Sequence, residues 1–112
     1  MTTTRGLPPR IAVLGYARSG RALAEALLAR GVSVAIGERK PAEEFDGLEA
    51  LRGRGARLFF GGPAPEFLDG AGWLAVSPGV PLDAPPVRDA RGRGIPVLSE
   101  LEIAWRIAEA EA

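Results

Sequence analysis

The sequence predicts an α/β protein with a Rossmann-like, doubly wound parallel sheet of about five strands in the order 3-2-1-4-5. Two observations carry this expectation. Short apolar runs of the buried-strand type recur along the chain, and segments with apolar residues at helical spacing lie between them. Every connection is also short, as repeated β-α units with helices on both faces of a parallel sheet require. With 112 residues, there is room for one domain and one modest core.

The elements follow in order. Residues 1–9 form a loose lead-in closed by Pro8-Pro9, and Arg10 to Leu14 is the first strand, bounded by Gly15. A helix is expected from Ser19, with Leu23, Ala26 and Leu27 near the 3.6 period and Gly31 as its stop. Val32 to Ile36 is the second strand. A helix starting at Pro41 should then carry Phe45, Leu48 and Leu51 inward and fray at Gly53-Arg54-Gly55. Ala56 to Phe60 and Trp73 to Val76 are the next strands, with a helical turn around Glu66 to Leu68 between them. A short arginine-rich helix covers Pro86 to Arg91, and Ile95 to Leu98 makes the fifth strand. Ser99 is placed to cap a last helix, Glu100 to Ala110, with Glu102 at the capping-box spacing. That helix carries Leu101, Ile103, Trp105 and Ile107, and both Trp73 and Trp105 are expected in the core. The remaining carboxylates, Glu100 and Glu102 among them, are expected on solvated helix faces.

Composition excludes several functions. Formal net charge is zero, so no whole-molecule field attracts nucleic acid or an anionic membrane. The chain has no cysteine and no histidine, which removes thiolate zinc sites, the commonest general base and the commonest metal ligand. The start, MTTTRGLPPR, lacks the apolar core of a secretory signal, and a cytoplasmic location is expected. There is no G-x-x-x-x-G-K-[ST] loop for ATP, and Lys40 is the only lysine.

Chemistry concentrates at the strand ends. The stretch IAVLGYARSGRA (11–22) nearly matches a dinucleotide fingerprint. Gly15 permits the tight turn and Gly20 permits close helix–strand packing, but Ala17 stands where the middle glycine is expected. Backbone N–H groups at such a helix start can hold a phosphate, with Arg18 and the Ser19 hydroxyl as further donors. After the second strand, Gly37-Glu38-Arg39 places a carboxylate where ribose or base groups can donate to it. Ser77-Pro78-Gly79 follows the fourth strand, which flanks the first at the point where strand order reverses, so both loops should open on one cleft. These residues alone leave three readings: a phosphate site for some other nucleotide, an NAD(P)-binding domain of an oxidoreductase or redox sensor, and a ligand-free interaction module.

A resemblance narrows them. AVLGYARSGRALAEALLARG, the acid after strand two, AVSPGVPLDAP and GIPVLSELEIAWR together resemble the N-terminal domain of the Mur ligases, over residues 8–107. The member that adds D-glutamate is the most similar. The resemblance implies that residues 1–112 are one UDP-binding domain, a fragment lacking the ATP-binding central domain and the C-terminal domain. It implies that the UDP part of UDP-N-acetylmuramoyl-L-alanine lies on this chain. The diphosphate would lie against Arg18, Ser19 and Gly20, the uridine near Gly37, Glu38 and Arg39, and Ser77-Pro78-Gly79 opposite. The family often has glycine at Ala17, and its uracil-side acid commonly falls at Gly37. ATP, Mg²⁺ and D-glutamate are implied for the other domains, with no cofactor, metal or catalytic residue here, and no nucleic-acid or membrane partner.

Overall fold

The computed structural model describes residues 6–111, so residues 1–5 of the lead-in expected over residues 1–9 lie outside the described residues. The described chain forms a five-stranded sheet in the order β3-β2-β1-β4-β5, and every strand pair is parallel. Along the chain come β1 (Arg10–Leu14), α1 (Arg18–Ala29), β2 (Ser33–Glu38), α2 (Leu48–Gly53), β3 (Arg57–Phe60) and β4 (Trp73–Val76). The chain then continues through α3 (Pro85–Gly92), β5 (Val97–Ser99) and α4 (Glu100–Ala110).

Strand alternation divides the core between the two faces of the sheet. Ile11 and Val13 of β1 point to the larger cluster, where they meet Leu23 and Leu27 of α1, Leu51 of α2, and Ile103 and Ile107 of α4. Ala12 and Leu14 point the other way, onto Phe67 and Leu68 of a 3-10 turn and Val87 and Ala90 of α3. β1 is buried on both faces, as a near-continuous apolar run implies. The end of α1 follows its expected stop: Gly31 N–H donates to the Leu28 carbonyl and Val32 N–H to the Leu27 carbonyl, both at 3.1 Å.

Three expectations are corrected. The helix expected from Pro41 is two pieces, a 3-10 turn at Ala42–Glu44 and α2. Between them Phe45 is extended (φ −129°, ψ 146°). There its ring meets Tyr16 and Phe60 edge-on, with centroids 5.5 and 5.3 Å away, so packing overrides helix propensity. The fifth strand runs Val97–Ser99, later than expected. Finally, Ile103 and Ile107 are the only apolar residues of α4 that are buried, while Leu101 and Trp105 are 81% and 60% exposed. Trp73 is half-buried against the larger cluster, with the Arg106 guanidinium 5.2 Å above its ring.

Tyr16 sits in the aromatic cluster with its hydroxyl buried and without a partner. Burial raises its pKa above the ordinary 10.0; Arg21 opposes the shift and Glu25 adds to it. A raised folded-state pKa stabilises the fold below pH 10.0, and that contribution is lost as pH rises through the higher folded value. Because the sequence has one tyrosine, ultraviolet titration of the phenolate reads this group alone. The native midpoint is expected above 10.0 and should return to the ordinary value in denaturant. Tyr16→Phe removes an unsatisfied hydroxyl and should be neutral or stabilise by up to about 1 kcal/mol in urea unfolding. A loss of stability would show that the hydroxyl has a partner.

Candidate functional site: the cleft at the strand-order reversal

The parallel registers bring the site into one row. Leu14 pairs with Gly37 on one side and with Val76 on the other, and Val76 pairs with Ser99. One residue further along each strand, Glu38, Gly15, Ser77 and Glu100 therefore stand side by side at the carboxyl edge of the sheet. The ladder continues into this row, with Gly15 N–H donating to the Gly37 carbonyl at 2.7 Å and Ser77 N–H to the Leu14 carbonyl at 3.2 Å. A cleft of about 940 Å³ opens above it. It is lined by Gly15, Tyr16, Ala17 and Ser19 from the first loop, by Glu38, Arg39 and Lys40 from the second, and by Ser77, Pro78, Gly79 and Val80 beyond β4. The two loops expected to share a cleft do so.

The turn out of β1 is set by close approach. Gly15 has φ +100°, and a Cβ there would stand 2.7 Å from the Ser77 Oγ, so a side chain is both strained and obstructed. At Gly20 a Cβ would overlap the Gly15 carbonyl oxygen. This glycine thus lets α1 pack onto the end of β1 and is buried beneath the loop, away from the cleft lining. A bulky residue at Gly20 would disrupt the fold before it filled any phosphate turn.

Ala17, in contrast, has ordinary extended backbone (φ −79°, ψ −178°) and is the N-cap of α1. Its conformation requires no glycine. It makes no side-chain cap bond, and the first hydrogen-bonded amide of α1 is Arg21 N–H, on the Ala17 carbonyl at 2.9 Å. Among the described residues, the N–H groups of Arg18, Ser19 and Gly20 have no hydrogen-bond acceptor. Unpaired amides at a helix start, reinforced by the helix dipole, favour an anion. Arg18 is exposed on the first turn of α1, outside the cleft lining.

The acid of the second loop is fixed by the backbone around it. Glu38 accepts from Tyr16 N–H through Oε1 at 2.8 Å and from Lys40 N–H through Oε2 at 2.9 Å, which ties the first loop to the second. Gly37 lies under the sheet edge, not on the cleft. A side chain there would point at the Phe67 ring, 2.9 Å from its Cζ, so what approaches the backbone at Gly37 is Phe67. An acid at position 37 would face the smaller core, and Glu38 is the carboxylate that reaches the cleft.

Glu100 is the functional candidate that sequence reasoning missed. It is 7% exposed and not on a solvated helix face. Ser19 Oγ donates to its Oε1 and Ser77 Oγ to its Oε2, each at 2.6 Å. Burying a carboxylate is costly unless it is hydrogen-bonded, and here two hydroxyls and the first turn of α4 meet it. The Ser19 hydroxyl proton is thereby directed at Glu100, which leaves the Ser19 amide, not its hydroxyl, as a donor for an anion. The cap of α4 is as expected on one side only: Ser99 Oγ accepts from Glu102 N–H at 3.0 Å, but the Glu102 carboxylate turns to Arg106.

With this geometry in place, comparison with known proteins is informative. The family profile "Mur ligase MurD-like, N-terminal domain" matches residues 9–99. The chain belongs to this family. As a MurD-like N-terminal domain it is similar to the UDP-N-acetylmuramoylalanine--D-glutamate ligase of Geobacillus sp. (strain WCH70), 38% identical over 102 residues. The corresponding ligases of Streptococcus pneumoniae (strain Hungary19A-6) and Streptococcus pyogenes serotype M1 are 37% and 34% identical. In each case 90% of this chain is covered, and it spans 23% of the relative. Among the described residues no helix is long and apolar enough to cross a membrane.

Gly15→Ala should expose the contact with Ser77. The left-handed backbone costs about 1–2 kcal/mol and the overlap about 1–3 kcal/mol, together a drop in Tm on the order of 10 °C or more. Gly79→Ala, where nothing lies within 4 Å of a Cβ, should stay within about 0.5 kcal/mol of wild type. Equal melting of the two variants would refute the close-approach account.

Proposed function

We propose that this chain holds the UDP moiety of UDP-N-acetylmuramoyl-L-alanine, as the N-terminal domain of a cytoplasmic ligase that adds D-glutamate in peptidoglycan synthesis. The observation that carries this reading is the row of free amides at the start of α1, beside a cleft that Ser19 lines at the strand-order reversal of a MurD-like N-terminal domain. The diphosphate lies against the N–H groups of Arg18, Ser19 and Gly20, where opposite charge and unpaired donors coincide. Uridine extends toward Glu38 and Arg39, with Ser77-Pro78-Gly79 as the facing wall. Arg39 and Lys40 add positive charge to that end of the cleft.

The ATP, Mg²⁺ and D-glutamate that this reaction uses belong to the other domains of the enzyme. The residues here do not fit those groups: the sequence has no P-loop, and the described residues include no cluster of three acidic side chains able to hold a metal. In this reading the part that the chain takes in the reaction is to bind the nucleotide end of the substrate. Family membership favours uridine over a nicotinamide dinucleotide, the alternative that the loop sequence alone leaves open.

Arg18 provides a sharp test, because it is the first residue of α1. Proline is well tolerated there, and the extended Ala17 before it suits a following proline. Arg18→Pro deletes one amide donor as well as the guanidinium, whereas Arg18→Ala deletes the guanidinium alone. In calorimetric titration with UDP, Arg18→Pro should bind about tenfold more weakly than Arg18→Ala at an unchanged Tm. Equal affinities would remove the amide cradle from the proposal, and binding of NAD in place of UDP would refute the ligase reading.

A further inference from the structure

We propose that Glu100 is the positioning residue of the cleft: by holding the Ser19 and Ser77 hydroxyls on its two oxygens, it fixes the spacing of the opposed loops and thereby sets nucleotide affinity without touching the ligand. The effect on affinity rests on the proposed function. The effect on the loops does not.

Three elements meet at this carboxylate. Ser19 belongs to the first turn of α1, Ser77 follows β4, and Glu100 opens α4, so no local sequence contact holds them together. Each hydrogen bond is 2.6 Å long, the short distance of a hydroxyl donating to an ionised carboxylate. The Ser77 Oγ lies 3.5 Å from the Gly15 carbonyl, a far weaker alternative, so its proton is committed to Glu100. Register leaves little freedom: Val76 pairs with Ser99, so Ser77 and Glu100 are the next neighbours across β4 and β5. The carboxylate also lies directly behind the loop, with Oε2 3.0 Å from where a Cβ of Gly20 would be. It thus supports the amide row from below. One loop presents those amides and the other forms the facing wall, so the separation fixed by Glu100 is the width of the site. Pre-organising that width spares the ligand the cost of ordering two loops.

The test compares Glu100→Ala, Glu100→Asp, Glu100→Gln and Ser19→Ala, with amide hydrogen exchange of both loops as the first readout and UDP titration well below Tm as the second. Glu100→Ala and Glu100→Asp, too short to span both hydroxyls, should raise exchange of the hydrogen-bonded amides of Gly15, Tyr16 and Arg21 in one loop and of Ser77 and Val80 in the other together, and weaken UDP binding about tenfold. Glu100→Gln keeps the reach, accepts from one hydroxyl and donates to the other oxygen, and should restore protection and most of the affinity. Ser19→Ala, at an exposed position that does not threaten folding, should raise exchange of the bonded amides of Gly15, Tyr16 and Arg21. Unchanged exchange in Ser19→Ala, or a Glu100→Ala variant that melts earlier with both loops still protected, would overturn the proposal. If wild type ignores UDP while the exchange pattern appears as stated, the proposed function fails and the positioning role stands.

Discussion

The structure depends on the point where strand order turns back on itself, between β1 and β4. Parallel neighbours cannot be joined by a tight turn, so each strand sends its chain over one face before it returns. The chain leaving β1 passes through α1 on the face of the larger core, while the chain leaving β4 passes through α3 on the other. The two loops part above the sheet, and among the described residues nothing fills the gap. The cleft is thus a consequence of topology before any side chain is considered.

Local chemistry then prevents that gap from becoming a loose one. Burial of β1 on both faces fixes its height relative to β2 and β4. Fixed register makes Glu38, Gly15, Ser77 and Glu100 a lateral row, with an acid at each end and a glycine–serine contact between them. Both acids are occupied by the protein itself, Glu38 by backbone amides and Glu100 by hydroxyls. The main-chain N–H groups of Arg18, Ser19 and Gly20 keep no acceptor among the described residues, and Ser19 lines the cleft. The polar side chains build the frame, and the peptide backbone presents the donors.

Most of this architecture is legible in the sequence. Period and punctuation place β1, β4 and α4 with their observed bounds: Gly15 closes β1, Ser77-Pro78-Gly79 follows β4 and Ser99 caps α4. Where reading fails, a tertiary contact outweighs a local signal. Phe45 leaves its helix for an aromatic cluster formed with residues distant in sequence. Trp105 has helical spacing suited to the core, yet Ile103 and Ile107 already fill the contact with the sheet. Glu100 is misread for a related reason. Beside the cap Ser99 it looks like a solvated first-turn acid, but Ser99 is also the last residue of β5, which puts Glu100 in the edge row. Extending each strand by one residue and reading across the order 3-2-1-4-5 would have shown the row. The hydroxyl partners themselves carry no local signal.

One consequence follows from Ala17, whose methyl replaces an expected glycine at no conformational cost. When the donors are peptide groups, the visible letters of a binding loop encode little of its chemistry. Side chains along the rim at positions 17 and 18 can drift while the path of the chain persists, and with it the site. What holds that path is stored underneath, in the close approach of Gly15 to Ser77, the packing of Gly20 onto the end of β1 and the two hydroxyls on Glu100. For such a loop, a change at the surface is a poor sign of changed specificity, and a single exchange in the buried row is a strong one.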